Sequence, residues 1–114
     1  MTDCVFCRIA AGDIPARLAH SDDEIVAFHD LAPQAPTHVL VVPRRHIATL
    51  LDTTADDIAL LGRLQATAVD IARRLELDRG GFRLVTNCLE GAGQSVFHLH
   101  LHLLGGRRFS WPPG

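Results

Sequence analysis

The stretch Phe97-His98-Leu99-His100-Leu101-His102-Leu103-Leu104 places a histidine at every second residue, with apolar residues between the histidines. Side chains of a β-strand alternate between its two faces, so this period predicts a strand with three imidazoles on one face and apolar side chains on the other. Neighbouring imidazoles would start about 6.7 Å apart at the backbone. Such a row can bind a metal ion, or it can present one histidine as a nucleophile between two supporting histidines.

The composition predicts one domain, residues 1–114. The chain has 114 residues, 47% of them hydrophobic, which is enough for one core and too short for two. Its formal net charge is −2, so the composition lacks the excess of basic residues that is typical of nucleic-acid-binding domains. No stretch approaches the roughly 20 apolar residues that a membrane helix needs, and the first residues do not resemble a signal peptide. We therefore expect a cytoplasmic protein without nucleic-acid or membrane partners.

Hydrophobic periodicity and turn residues predict an α+β domain, with one long helix against about five antiparallel strands. A short helix is predicted at 4–11, and strands at 17–20, 24–29, 38–42, 82–86 and 96–104. The long helix is predicted at 55–76, with Thr54 as its N-cap and Asp57 at the capping-box position. Its apolar face is predicted to comprise Ile58, Leu61, Leu64, Ala68, Ile71, Ala72 and Leu75.

The loop before the histidine row favours the interpretation that one of these histidines is a nucleophile over the interpretation that the row binds only a metal ion. Gly91-Ala92-Gly93-Gln94-Ser95 combines small residues, which let backbone approach a ligand, with an amide and a hydroxyl. Backbone N–H groups of such a loop can bind a phosphate, although a plain turn explains the loop alone equally well. Phosphorus is an electrophile that imidazole attacks well, and the P–N bond formed is labile to water.

Several motifs together resemble the histidine-triad (HIT) family of nucleotide hydrolases and transferases, in particular its Hint branch. They run in the same order over essentially the whole chain: Phe28-His29-Asp30, Pro33-Gln34-Ala35-Pro36-Thr37-His38, Val42-Pro43-Arg44-Arg45-His46-Ile47, Gly93-Gln94-Ser95-Val96, the histidine row, and Trp111-Pro112-Pro113-Gly114. The resemblance implies a HIT-like fold and a purine nucleotide phosphoramidase, which hydrolyses adenosine 5′-phosphoramidate and aminoacyl-adenylate-like substrates to AMP.

The same resemblance implies roles for individual residues. His100 matches the nucleophile that attacks the α-phosphorus, and His102 matches a phosphate-contacting histidine. His38 matches the histidine that supports the nucleophile, and Ser95 matches the hydroxyl that contacts phosphate and can pass a proton to the leaving amine. The implied nucleotide contacts are Asp30, at the ribose hydroxyls, with Leu31, Asn87, Gly93 and Gln94.

The loop departs from the family at one position. Hint proteins usually have glycine two residues after the asparagine, and this chain has Leu89 there. A leucine adopts a positive φ only at a cost in free energy, so the path of the chain between Asn87 and the phosphate loop is open at this stage.

Cys4 and Cys7 have the spacing of a metal or redox motif. Some bacterial HIT proteins pair such cysteines with histidines that match His46 and His98, which implies a structural Zn²⁺ with two thiolate and two imidazole ligands. Such a site would leave His100 and His102 for chemistry, and we expect catalysis itself to need no cofactor. The alternative is two unligated thiols near the N-terminus.

The family forms a homodimer in which two five-stranded sheets join into ten strands, and the C-terminal tail reaches toward the partner's active site. The expected ligands are purine nucleoside monophosphate derivatives. Two alternatives stay open: a dinucleoside polyphosphate hydrolase of the same superfamily, and a nucleotide-binding scaffold with little turnover. The Trp111-Pro112-Pro113-Gly114 ending argues against the first, and the intact Ser95 and His100 argue against the second.

Overall fold

A five-stranded antiparallel sheet forms the centre of the fold in the computed structural model, which describes residues 3–114. The predicted domain of residues 1–114 thus includes two residues, Met1 and Thr2, that lie outside the described range. The strands are β1 (Leu18–Ser21), β2 (Ile25–His29), β3 (Thr37–Pro43), β4 (Phe82–Val85) and β5 (Leu101–Gly105), in the order β1-β2-β3-β5-β4. The predicted α+β class and five-stranded sheet are confirmed.

Two α-helices accompany the sheet, α1 (Val5–Ala10) and α2 (Ile58–Arg74). The predicted capping box is present: the Thr54 hydroxyl accepts a hydrogen bond from the N–H of Asp56, and the Asp57 carboxylate accepts one from the N–H of Thr54. This box opens a 3₁₀ turn (Ala55–Asp57), which continues directly into α2. None of the helices within residues 3–114 is long and apolar enough to cross a membrane.

Apolar side chains cover both faces of the sheet. On one face α2 packs against alternate residues of β2, β3 and β5, and the leucines between the histidines point to this side. On the other face α1 packs against the remaining side chains of β2 and β3, with Phe6 at the centre of the cluster. The apolar run in β3 therefore reflects a strand that is buried on both faces.

The buried face of α2 differs from the prediction at its ends. Ile58 and Leu75 are 68% and 38% exposed, whereas Leu60, which was not predicted, is buried. The helix starts from a 3₁₀ turn, whose tighter winding rotates the first α-helical residues relative to a continuous α-helix. The predicted buried face was wrong at Ile58 and Leu75. It was right at four residues, Leu64, Ala68, Ile71 and Ala72.

The histidine strand is shorter than predicted. It was predicted at 96–104, but β5 begins at Leu101, and the pairing of β3 with β5 ends at Val41 opposite Leu101. The preceding segment leaves the ladder, because the N–H of Leu99 donates to the carbonyl of Ile47, 2.6 Å away, in the loop after β3. The alternation of side chains nevertheless continues through His98 and His100, both buried, while Phe97 is 45% exposed.

Candidate active site and metal centre

A cavity of about 300 Å³ lies on the α1 side of the sheet. Five of the predicted site residues line it: Asp30, Leu31, Ser95, His100 and His102. The rest of its wall is mostly apolar and is supplied by α1, by the chain before β1, and by Phe28 and Leu40 of the sheet. An apolar wall with a few polar groups at one end is typical of a small-molecule site. A larger cavity of about 740 Å³, next to β4 and residues 106–109, contains none of the predicted site residues.

His100 has one ring nitrogen committed to the backbone. Its Nδ1 lies 2.7 Å from the carbonyl oxygen of His98, so Nδ1 carries the proton and donates it. Burial lowers the pKa of His100, partly opposed by this hydrogen bond and by the charge of Asp30. At neutral pH the ring is therefore neutral, with its lone pair on Nε2, and the residue lines the cavity. A neutral imidazole with a lone pair is the form that acts as a nucleophile.

His38 and His102 form a hydrogen-bonded pair behind the cavity. The N–H of Gln34 donates to Nδ1 of His38 over 3.0 Å, so the His38 proton lies on Nε2, which donates to Nδ1 of His102 over 2.9 Å. Burial lowers the pKa of His38, and burial followed by repulsion from His100 and His38 lowers the pKa of His102 to about 4. His102 is thereby left with an N–H on Nε2, which can donate to an anionic ligand.

Asp30 follows β2 and has two partners. One carboxylate oxygen accepts a hydrogen bond from the N–H of Ala32, and the other lies 3.5 Å from Nε2 of His38. The carboxylate is also at the cavity wall, so it both starts the turn and faces the ligand space. Leu31 beside it is fully exposed at the rim of the cavity.

The side chain of Gln94 is hydrogen-bonded within the protein, in the loop of residues 91–95 that precedes the histidine row. This side chain is buried, and its amide donates to the carbonyls of Ala48 and Val96 while its oxygen accepts from the N–H of Leu89. These bonds make Gln94 the residue that holds the loop in shape. Asn87 and Gly93 lie side by side, and neither they nor Gln94 are among the residues that line the 300 Å³ cavity. Their roles as nucleotide contacts stay predictions.

Leu89 has the backbone conformation that glycine normally supplies. Its φ of 74° and ψ of 166° fall in a region that residues with a side chain rarely occupy. The side chain is 44% exposed, and its carbonyl accepts hydrogen bonds from the N–H groups of Ala92 and Gln94. These bonds and that of Gln94 hold the strained residue in place, so the chain keeps the turn without the family's glycine.

A second cluster brings together the four predicted metal ligands, Cys4, Cys7, His46 and His98. Sγ of Cys4 and of Cys7 lie 3.3 and 3.4 Å from Nδ1 of His98, and Nδ1 of His46 lies 3.3 Å from Sγ of Cys7 and 3.2 Å from Nδ1 of His98. A tetrahedral zinc ion with Zn–N of about 2.0 Å and Zn–S of about 2.3 Å separates its ligand atoms by about 3.3–3.8 Å. The cluster is thus close to the size that zinc requires.

His98 also has the tautomer that a metal ligand needs. Its Nε2 lies 2.7 Å from the carbonyl oxygen of Pro43, so the proton is on Nε2 and the lone pair of Nδ1 points into the cluster. Hydrogen bonding of the distal nitrogen is the usual way in which a protein orients a metal-binding histidine.

Sequence reasoning missed the apolar wall of the cavity and two polar residues beside it, Arg17 and His29. His29 follows Phe28 in β2, and burial followed by repulsion from Arg17 lowers the pKa of His29. Phe6 lies in sequence between Cys4, the N-cap of α1, and Cys7, and it also lines the cavity. The alternation of β2 could have placed Phe28 on this face, but no local signal pairs it with Phe6.

Comparison with known proteins identifies the family to which the fold belongs. The family model of the HIT domain matches residues 11–109. The chain belongs to the HIT domain family. The match includes the histidine row and the elements that hold it, and the cysteines of α1 lie before it.

Individual relatives are similar over nearly the whole chain. An uncharacterized HIT-like protein of Synechococcus elongatus is 49% identical over 98% of this chain and 97% of its own. The crystal structure of a HIT family hydrolase from Legionella pneumophila is 50% identical and superimposes with a TM-score of 0.96, over 98% of this chain and all of that one. A histidine triad nucleotide-binding protein from Candida albicans is 28% identical, with a TM-score of 0.82 over 98% of this chain and 85% of that one. The protein is thus similar to HIT family hydrolases in sequence and structure.

Proposed function

We propose that the protein is a purine nucleotide phosphoramidase, which hydrolyses adenosine 5′-phosphoramidate and related aminoacyl-adenylate-like substrates to AMP. The observation that carries the proposal is the tautomer of His100, a residue that lines the cavity: Nδ1 donates to the carbonyl of His98, so the lone pair is on Nε2. A neutral nucleophilic imidazole beside an apolar cavity suits attack on a nucleoside monophosphate derivative.

The reaction proceeds in two displacements at phosphorus. Nε2 of His100 forms a bond to the α-phosphorus, and the bond from phosphorus to the leaving amine breaks with its electron pair going to the amine nitrogen. That nitrogen takes a proton, and the proposed donor is the hydroxyl of Ser95, a residue that lines the cavity. Water then attacks the phosphorus and gives its proton to the oxygen of Ser95, which restores the hydroxyl. The bond to His100 breaks with its electron pair returning to Nε2, and AMP leaves with the histidine neutral again.

Two other groups support the charge that develops on the phosphoryl oxygens. The N–H on Nε2 of His102 donates to them, and His38 keeps that tautomer in place through its 2.9 Å contact with Nδ1 of His102. Asp30 offers carboxylate oxygens for the ribose hydroxyls, and the base lies against the apolar wall that includes Phe28 and Leu40.

The four-ligand cluster is proposed to hold a structural Zn²⁺. Bound there, the ion contributes free energy of folding by joining α1 to His46 and His98, and the chemistry at His100 needs no metal. A cytoplasmic location is part of the same proposal, since thiolate ligands persist in a reducing compartment.

A homodimer is also proposed, with the sheets of two copies joined at β4. The sheet ends at β1 and β4. The β1 edge is partly covered, because Arg74 of α2 donates to the carbonyl of Ala19. The β4 edge is thus the better surface for adding the strands of a second copy.

Side-by-side kinetics test the function. Purified protein is given adenosine 5′-phosphoramidate and a dinucleoside polyphosphate, and AMP release is followed for both. The proposal predicts a much higher kcat/KM for the phosphoramidate. A preference for the dinucleoside polyphosphate would favour the other hydrolase class. AMP binding with negligible turnover of either compound would favour a nucleotide-binding scaffold.

A further inference from the structure

Helix α1 lies between the four-ligand cluster and the nucleotide cavity. It has only six residues, too few to be stable as an isolated helix in water. At its N-terminus the sulfur of Cys4 accepts a hydrogen bond from the N–H of Cys7, so both sulfurs of the cluster lie on the first turn. The position of α1 therefore depends on contacts outside the helix, among which the cluster is prominent.

The same helix forms one wall of the cavity. Val5, Phe6 and Ile9 line the ligand space from α1. Of these Phe6 is buried, 6% exposed, and it lies in the sequence between the two cysteines. Any force that holds Cys4 and Cys7 in place thus also holds Phe6 in place.

The ring of Phe6 contacts the cluster and the nucleophile at once. Its centroid lies 6.0 Å from that of His98 and 5.0 Å from that of His100, the latter in an edge-to-face arrangement with an interplanar angle of 88°. On its other side it packs edge-to-face against Phe28 of the cavity wall, at 5.3 Å. Phe6 therefore joins a ligand of the cluster, the proposed nucleophile and the apolar wall.

We propose that the Cys4-Cys7-His46-His98 cluster and the nucleotide cavity are thermodynamically coupled, and that Phe6 is the positioning residue that carries the coupling. The inference rests on the proposed function for the identity of the ligand. Metal in the cluster holds α1 so that Phe6 completes the cavity wall and orients the His100 ring. Coupling of two binding sites is reciprocal, so a nucleotide in the cavity must strengthen metal binding by the same factor.

The test measures AMP binding by titration calorimetry on the full chain, once loaded with Zn²⁺ and once after treatment with a chelator. We expect removal of zinc to weaken AMP binding by about fivefold or more, the lower end of typical coupling between sites. In Phe6→Leu, which keeps an apolar side chain but loses the ring contacts, AMP binding should be weaker and removal of zinc should add little. The matched control is Leu31→Ala, which changes an exposed apolar side chain of the cavity that does not belong to α1 and should keep the full zinc dependence.

A reciprocal measurement covers the case in which the metal-free chain unfolds, which circular dichroism would reveal. Zinc-loaded protein is titrated with a competing chelator, with and without saturating AMP. If the metal-free chain stays folded, the coupling predicts that AMP raises the apparent zinc affinity by the same factor and that Phe6→Leu abolishes this gain. If the metal-free chain unfolds, folding itself links the two ligands, and the coupling predicts a smaller gain in Phe6→Leu than in wild type at the same AMP concentration.

Equal AMP affinity in the two metal states of a folded chain would overturn the inference. The inference would also be overturned if removal of zinc weakened AMP binding as much in Phe6→Leu as in wild type, or if the chain bound no zinc. Neither measurement requires turnover, so a chain that binds AMP without hydrolysing the phosphoramidate would contradict the proposed function and still decide the coupling. A zinc-loaded chain that does not bind AMP would contradict both.

Discussion

Backbone groups assign the protonation of individual histidines, and this assignment determines what each ring can do. The carbonyl of Pro43 accepts a hydrogen bond from the N–H on Nε2 of His98, and the carbonyl of His98 accepts one from the N–H on Nδ1 of His100. The first ring is then able to bind metal through Nδ1, and the second to attack through Nε2. Two histidines only two residues apart can thus serve the two different proposed roles, because their backbone partners lie on opposite ring nitrogens.

Leu89 provides a stability test at a single residue. Leu89→Gly should raise the free energy of unfolding by about 1 kcal/mol, because relief of the positive φ, about 1–3 kcal/mol, exceeds the entropy that glycine adds to the unfolded chain. Urea denaturation measures the change. Leu31→Gly is the control: Leu31 is exposed but is not among the positive-φ residues, so glycine there should lower stability. A loss of stability in Leu89→Gly would contradict the account of this turn.

At the scale of elements, short-range patterns predicted most of the fold. Three features could be predicted because each depends on residues that are neighbours in sequence. They are the capping box at Thr54 and Asp57, the breaks at prolines and the alternation around the histidines. The errors arose where a distant group decides the outcome. The strand expected from residue 96 begins only at Leu101, since the N–H of Leu99 pairs with Ile47, which no local pattern reveals.

The turn between β1 and β2 gives stability a dependence on pH. The Asp22 carboxylate accepts hydrogen bonds from His20 Nε2 and from the N–H groups of Glu24 and Ile25, which lower its pKa to about 2. A folded-state pKa below the unfolded value of about 3.8 stabilises the fold above pH 4, and this contribution disappears as the pH falls toward 2. Asp22→Asn should therefore be less stable than wild type at neutral pH, and the two should converge near pH 2. Denaturant titrations across this range measure the difference, and a constant gap would contradict the account.

The four-ligand cluster, which joins α1 to His46 and His98, allows a test of whether zinc stabilises the fold. Cys4→Ser combined with Cys7→Ser should abolish zinc binding and lower the melting temperature by roughly 5 °C or more, because the ion contributes to folding. Elemental analysis and calorimetry measure the two effects. His100 should remain reactive, with much of the turnover kept at saturating substrate and moderate temperature. Cys88→Ser changes the third cysteine, outside the cluster, and should alter neither zinc content nor melting temperature. Protein purified without chelator that contains no zinc would contradict the site.

At the scale of the whole molecule, the polar half of the site was predictable and the apolar half was not. Asp30, Ser95, His100 and His102 come from motifs that the sequence displays, and the fold brings them to one cavity. Phe6 joins them from the start of the chain through packing, which leaves no pattern in the sequence. For Gln94 the structure shows a buried side chain that is hydrogen-bonded to the carbonyl of Ala48 and the N–H of Leu89, and its contact with the nucleotide stays a prediction.

Association through β4 can be tested at the two edges of the sheet. Val85→Asp places a charge on the β4 edge and should shift the protein from two chains to one in analytical ultracentrifugation, because a buried unpaired carboxylate destabilises the joined sheet. Leu18→Asp places the same charge on β1, where Leu18 is 52% exposed, and should leave the mass unchanged. Dissociation by Leu18→Asp alone would place the interface at β1 instead.

The central claim is that His100 is the nucleophile, and trapping of the covalent intermediate tests it most directly. Wild-type protein is mixed with adenosine 5′-phosphoramidate, quenched in base to preserve the acid-labile P–N bond, digested and analysed by mass spectrometry. The account predicts one added adenylyl group on the peptide that contains His100. It also predicts that His100→Ala loses several orders of magnitude of turnover while still binding AMP. An adenylyl group on another residue, or near-normal turnover in His100→Ala, would contradict it.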